Sequence, residues 1–380
     1  MRSGALERRE VLANLEMTGD RLLTSPEEWL QVLEKEYLAD YICSGGSSVK
    51  VVSGSNEHLQ QVQGRLQEVA AQGGYFYTGL DPSRLNEAGK RPDLHRIDKF
   101  FFTVTQTVDW KAWAAEQAKQ YLQSRGIFLA EGRRLNDLEN IAADNGRDTQ
   151  DLLYQYQSEF ATPQIRDHGL AVEFRAAVTA LGRAQLISDA VTPTTEEVIL
   201  AWFAGRTMAG AAAALKKVGI FERINQANAR YMLSSFCRWL PKTGHNGLVI
   251  TLDLRPYEYK RLSKTQRQAE HNRLLRAAID RGASQEELET LVTTADSEPE
   301  VSYSDGAFIQ MLTLLRRFID EIDWFERFFL VVLTTPKFYD ETSKRQYGLY
   351  DALQTRIGLE VHDVRRANPC AALVHLGAKP

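Results

Sequence analysis

Apolar residues along this chain switch between a helical and a strand-like period, and the switches divide it into elements. The clearest passage runs from Lys217 to Asp253. Ala229, Met232, Leu233, Phe236, Cys237 and Leu240 fall at i, i+3, i+4, i+7, i+8 and i+11, one face of an amphipathic helix. Pro241 to Gly247 gathers Pro, Gly, Asn and Gly, which ends that helix. Leu248-Val249-Ile250-Thr251-Leu252 follows. It is too short for a second helix and rich in β-branched residues, so it predicts a buried strand closing at Asp253.

The same reading covers the rest. Residues 1–42 are helical in pattern (Leu12, Leu15, Trp29, Leu33, Tyr37, Tyr41), with Ser25-Pro26-Glu27-Glu28 as a helix start. Cys43 to Ser48 is a loop, Val49 to Val52 a strand, and Ser53-Gly54-Ser55-Asn56 leads into a helix from about His58 to Ala71. After the Gly73-Gly74 break, Tyr75 to Thr78 predicts a second strand and Lys99 to Thr105 a third. Trp110 to Leu215 is mostly helical. Beyond Asp253, Arg261 to Arg281 is charged and helical in pattern, and 283–305 is polar and acidic. Phe308, Met311, Leu312, Leu315, Phe318 and Ile319 mark a helix, Phe328 to Leu333 a buried strand, and Ala371 to His375 a weak one. The expected organisation is a helical lead over 1–45, a first part of an α/β core over 46–109 and a helical insertion over 110–215. The second part of the core spans 216–380, with a charged loop insertion near 260–305.

Composition narrows the class without choosing the chemistry. Hydrophobic residues make up 43% and charged residues 25%, as in a soluble globular protein, and no run reaches the ~18 apolar residues of a membrane span. The charged start, MRSGALERREVL, lacks an apolar signal core and points to the cytoplasm. Cys43, Cys237 and Cys370 are too far apart for a disulfide framework or a metal motif, and no histidine pair has metal-ligand spacing. A net charge of −4 argues against wholesale binding to nucleic acid. A local basic cluster exists at Lys260, Arg261, Lys264, Arg267, Arg273, Arg276 and Arg281, with Glu270, Glu286, Glu287 and Glu289 close by; it reads as a solvated or protein-facing surface before a nucleic-acid track.

A strand–loop–helix–strand order is the start of a phosphate-binding α/β unit, which places phosphates on the loop after its first strand. Set against G-x-x-x-x-G-K-[ST], Gly54 keeps the first position, while Leu59, Gln60 and Gln61 stand at the second glycine, the lysine and the hydroxyl. Asp253 has two readings: a carboxylate holding a magnesium-bound water, or the cap of a turn. The next residue is Leu254, which cannot orient water, and the nearest carboxylate along the chain is Glu258. Thr334-Thr335 either sense a terminal phosphate or satisfy the end of their strand. Arg356 is an arginine finger toward a neighbouring subunit or an ordinary ion pair.

Three passages together resemble the BREX-type phage-defence ATP-binding proteins, a P-loop family of the AAA-like class. They are Gly45 to Gly54, Val218 to Asp253, and Leu333 to Asp340 with Tyr350 to Leu353 and Arg356. The resemblance implies a P-loop NTPase-like, mostly parallel sheet flanked by helices and ATP as the family's ligand; if the pocket of this chain binds anything, the positions to test are Gly54, Asp253, Thr335 and Arg356. It also implies a Gly-Lys-Ser/Thr at 59–61 and an acidic pair at 253–254, and the chain departs from both. The expectation is therefore a pseudo-ATPase with no catalytic residue, no metal and no resident cofactor. It would act through an ATPase, helicase or nuclease partner of a defence system, as an oligomer or within one. A divergent ATPase and a nucleic-acid-binding subunit are the alternatives.

Overall fold

The computed structural model describes residues 23–85, 89–158, 167–187, 194–259, 272–273, 275–276, 279, 302–340, 343–357 and 370–377. Its centre is a five-stranded sheet: β1 (Ser47–Ser53), β2 (Phe76–Leu80), β3 (Leu248–Asp253), β4 (Phe328–Thr334) and β5 (Leu373–His375). They lie in the order β2-β3-β4-β1-β5, and every pairing is parallel. Parallel strands need crossovers, which bury both faces of the sheet. The alternation within the strands shows this directly. Val49, Val51, Ile250, Leu252, Leu330 and Val332 enter one core, while Val52, Val249, Phe329, Val331 and Leu333 enter the other. This is the flanked parallel α/β architecture of a P-loop NTPase-like fold.

Two helices close the second face. α1 (Pro26–Val32) starts at the predicted Ser25, whose hydroxyl accepts from the Glu28 N–H, and it runs on in π-type winding over Leu33–Ile42. α2 (Asn56–Gln72) buries Leu59, Val62, Leu66 and Val69 at helical spacing. Leu12 and Leu15, the earlier part of the expected helical lead, lie outside the described residues.

The first face meets a larger helical layer. In chain order it holds α3 (Ile97–Gln106), α4 (Trp110–Ser124), α5 (Leu138–Asp144), α6 (Thr149–Ser158), α7 (Val172–Leu186), α8 (Thr195–Phe203), α9 (Ala211–Lys217) and α10 (Ala229–Trp239). After β3 come α11 (Arg255–Glu258), a single turn, and α12 (Asp305–Asp320); α13 (Asp351–Ile357) packs on α12. Trp110 stacks on Phe203 with ring centroids 4.0 Å apart and on Trp239 at 5.6 Å, joining α4, α8 and α10. The layer shares one continuous core with the sheet. A smaller cluster of Ala118, Leu122, Ile141, Leu152 and Leu186 binds α4 to α7 together.

One predicted strand is a helix. Lys99 to Thr105 lies inside α3, where Phe100, Phe101, Val104 and Thr105 are buried at i, i+1, i+4 and i+5. A short apolar run carries no period of its own, and β-propensity misassigns it. The Thr103 and Thr105 hydroxyls bond back to the carbonyls four residues earlier, at 2.8 and 3.0 Å, so both threonines fit a helix. A second difference matters more for function: α2 begins at Asn56 rather than near His58. The charged helix expected over Arg261 to Arg281 and the acidic stretch after it lie almost wholly outside the described residues.

Candidate functional site

In an open parallel sheet, ligands sit beyond the carboxyl ends of strands whose connections leave in opposite directions. Here β1 leads through α2 to β2 at one edge, while β4 leads to β5 at the other. The register aligns the ends of the three middle strands: Ser53 opposite Thr334, and Asp253 opposite Leu333. The Gly54 N–H donates to the Thr334 carbonyl at 3.2 Å and the Leu254 N–H to the Leu333 carbonyl at 2.9 Å. Gly54, Asp253 and Thr335 are thus brought to one edge.

Arg356 is not. It pairs with Asp320 at the far end of α12, whereas Asp305 at the near end joins the network around Tyr257. Fifteen helical steps separate those ends, roughly 22 Å at the α-helical rise.

The loop at this edge is very short. Only Gly54 and Ser55 separate β1 from α2, and the Ser55 hydroxyl caps the helix by accepting from the His58 N–H at 3.2 Å. A Cβ on Gly54 would come within 3.2 Å of Leu376, so β5's end lies close against this turn. Leu59, Gln60 and Gln61 are helical; Leu59 is fully buried, while Gln60 and Gln61 are exposed. Gln61 bonds to Glu27 of α1.

Asp253 is fully engaged. Its Oδ1 accepts from the backbone N–H and Nε of Arg255 at 3.0 and 2.8 Å, and its Oδ2 accepts from Nη2 at 2.7 Å. Arg255 Nη1 donates to Asn56 Oδ1 at 2.9 Å, tying the end of β3 to the first residue of α2. The pair raises the Arg255 pKa further, chiefly through the hydrogen bond to Asp253. Planar bidentate pairing of this kind fixes both geometry and charge.

The second carboxylate is Glu258, on the turn after β3. Its oxygens accept from the Thr335 N–H at 3.1 and 3.2 Å, and Oε2 also accepts from the Thr335 hydroxyl. Burial pushes its carboxyl up to about 7; the Thr335 donors pull the other way and the Asp253 charge adds to the rise.

Behind these lies Arg345, buried to 3% exposure. Its Nη1 donates to the Tyr257 and Tyr259 carbonyls at 2.9 and 2.6 Å, Nη2 to the Tyr303 carbonyl at 2.6 Å, and Nε and Nη2 to Asp305 at 3.1 and 2.8 Å. Tyr257 and Tyr303 stack with centroids 4.0 Å apart. Nothing in the sequence announced Arg345, and Arg255 showed itself only by standing two residues after Asp253.

Measured against what Mg²⁺–ATP requires, the described residues do not fit. A phosphate cradle of the G-x-x-x-x-G-K-[ST] type spends six residues before its lysine, and this turn has two. The carboxylate that would hold the metal-bound water spends both oxygens on a guanidinium. Among the described residues no group of three or more His, Cys, Asp or Glu is arranged to hold a metal ion. His58 lies in the first turn of α2, His245 packs on Trp113 with centroids 4.4 Å apart, and His362 lies outside the described residues.

Residues 136–299 match the family model of the BREX system ATP-binding protein BrxC/D. The BrxC/D match is less than half of the 380 residues. It takes in α5 to α10, β3 and the Asp253–Arg255–Glu258 turn, and so contains the Val218 to Asp253 passage. The passages at Gly45 to Gly54 and Leu333 to Arg356 lie outside it. No curated protein and no solved structure matches the chain. No helix among the described residues is long and apolar enough to cross a membrane.

Proposed function

We propose that the protein is a non-catalytic, P-loop-like subunit of a BREX-type antiphage system, acting through contacts with another protein rather than by hydrolysing ATP. The observation that carries this reading is the Arg255 bridge. A guanidinium neutralises Asp253 and reaches Asn56 at the head of α2, across a turn of two residues. It supplies from within the chain the positive charge that a metal ion would otherwise bring to Asp253. The BrxC/D match supports the defence context, since that family is described as ATP-binding within a BREX system.

One observation favours a second reading, a divergent ATPase. Glu258 is a half-buried carboxyl at the strand ends whose pKa is raised to about 7, in the range that suits a general base. Against it, both Glu258 oxygens are occupied by Thr335. Calorimetry of the full chain with ATP, with and without Mg²⁺, separates the two. The subunit reading expects no uptake of nucleotide; micromolar affinity abolished by Asp253→Ala would overturn it.

A further inference from the structure

The two side edges of the sheet are finished differently. At the β5 edge the chain covers itself: the Thr24 N–H donates to the His375 carbonyl at 2.9 Å, and the Gly377 N–H to the Thr24 carbonyl at 3.1 Å. At the other edge, among the described residues, β2 pairs with β3 alone and nothing bonds to its outer side. The register fixes which groups are left over. The Phe76 N–H donates to the Gly247 carbonyl at 3.0 Å, so Phe76, Thr78 and Leu80 turn their backbone groups inward to β3. The N–H and C=O of Tyr77 and Gly79 therefore point outward.

Proteins blunt such an edge with a lysine, a proline, a bulge or a covering helix. Phe76-Tyr77-Thr78-Gly79-Leu80 carries no charge and no proline, and its register with Leu248 to Leu252 runs without a bulge. Gly79 is exposed, so the outward groups are open to solvent.

We infer that this edge pairs, antiparallel, with the same edge of a second copy about a twofold axis at Thr78. The strand is self-complementary in that register. With Thr78 opposite Thr78 of the partner subunit, Tyr77 faces Gly79 of the partner subunit, and these are the outward residues. Each such pair exchanges two N–H···O bonds, so the two strands satisfy one another's outward groups. The two threonines meet at a close, non-hydrogen-bonded position, where such pairs are favourable. Tyr77, whose hydroxyl shares a hydrogen bond with Thr251 at 2.8 Å, lies across from a glycine, and an aromatic ring facing an edge glycine compensates for its missing side chain. Charge does not oppose the pairing, since neither strand carries any. An unrelated extended segment would satisfy the same backbone groups, but nothing in β2 selects its sequence. A second copy brings the matching length, register and neutral composition with it. The inference goes beyond the subunit reading and does not depend on how the strand ends treat nucleotide.

Sedimentation of the full chain over about 1–100 μM is expected to show a monomer–dimer equilibrium of micromolar Kd. Gly79→Pro removes an outward N–H and no β2–β3 bond, and the nearest neighbour of its new Cβ, the Gln63 amide at 3.1 Å, ends a flexible side chain. The variant should keep the wild-type circular dichroism and weaken the dimer at least about tenfold. Cysteine pairing reads the register separately. Thr78→Cys, in a chain also carrying Cys43→Ser and Cys370→Ser, should give a covalent dimer on mild oxidation. Tyr77→Cys in the same background should not, because the twofold holds its two copies beyond the ~7 Å Cα separation that a disulfide spans. A monomer at about 100 μM, a Gly79→Pro dimer as tight as wild type, or equal crosslinking at 77 and 78 overturns the proposal. So does slow amide exchange over 76–80 that is independent of protein concentration, since the chain then covers its own edge. Should Gly79→Pro fail to fold, the cysteine pair decides alone. Sedimentation judges the β2 edge and ATP calorimetry the strand ends, so each reading can fail without the other.

Discussion

The carboxyl edge of the sheet and the grooved face of the helical layer differ in what lines them. At the sheet edge every charged group named above has a partner inside the chain: Asp253 with Arg255, Glu258 with Thr335, Arg345 with three carbonyls and Asp305. Along α7 the described lining of the groove is mostly apolar, with Arg175, Arg183 and Lys217 beside it. At the sheet edge the charged groups have spent their bonding capacity, while the buried Ser53 hydroxyl beside them has no partner among the described residues. The BrxC/D match does not separate the two places, since residues 136–299 take in α5 to α10 of the helical layer as well as the Asp253–Arg255–Glu258 turn.

The sharpest way to break this contrast is Arg345→Met. It removes five hydrogen bonds and strands three carbonyls and a carboxylate, so a loss of about 3–5 kcal/mol is expected in urea unfolding. A neutral outcome would mean that the edge is open rather than locked.

Arg255→Ala should cost about 2 kcal/mol by leaving Asp253 unpaired, with Arg255→Lys between the two, since a lysine cannot pair bidentately. If Arg255→Ala instead gains stability in Mg²⁺, the arginine is a removable stand-in for a metal and the comparison reverses.

Glu258 gives a smaller, pH-dependent effect. Its pKa in the fold, about 7, lies above its ordinary value of 4.5, so the folded state holds the proton more tightly. Its contribution to stability is fully present below about 4.5, falls as pH rises to about 7 and is flat beyond, a change of about 1–2 kcal/mol after allowing for partial exposure. Asp167 and Asp320 shift the opposite way, so the slope is isolated by comparing the wild type with Glu258→Gln, which should lack it.

The least effect belongs to the grooved face. Phe221→Ser should change stability by no more than about 0.5 kcal/mol, because its ring is 71% exposed. A larger loss would mark Phe221 as a structural residue.

Much of this fold could be read from the sequence where period and composition agree. Leu248 to Asp253 and Phe328 to Leu333 are β-branched or aromatic runs bounded by breakers, and they form β3 and the body of β4. Ala229 to Leu240 is strictly helical in period and is buried along that face. The reading failed at Lys99 to Thr105, where three consecutive phenylalanines imitate a strand and the packing against Phe203 and Phe318 decides for helix. The candidate site was legible as far as strand ends go, because any parallel α/β sheet brings Gly54, Asp253 and Thr335 to one edge. What remained hidden was the length of the turn after β1, which depends on Ser55 capping α2. The partners were hidden as well: nothing local ties Arg255 to Asn56, 199 residues away, or Arg345 to Tyr303, 42 residues away.

The Arg345 knot also bears on how this protein can change over generations. A single side chain holds the carbonyls of Tyr259 and Tyr303, the two places where the chain leaves and rejoins the sheet's carboxyl edge. With both roots fixed, each doubling of the length between them adds only about 0.6 kcal/mol of closure entropy. Adding length between these two roots is therefore expected to leave β3, α12 and β4 in register.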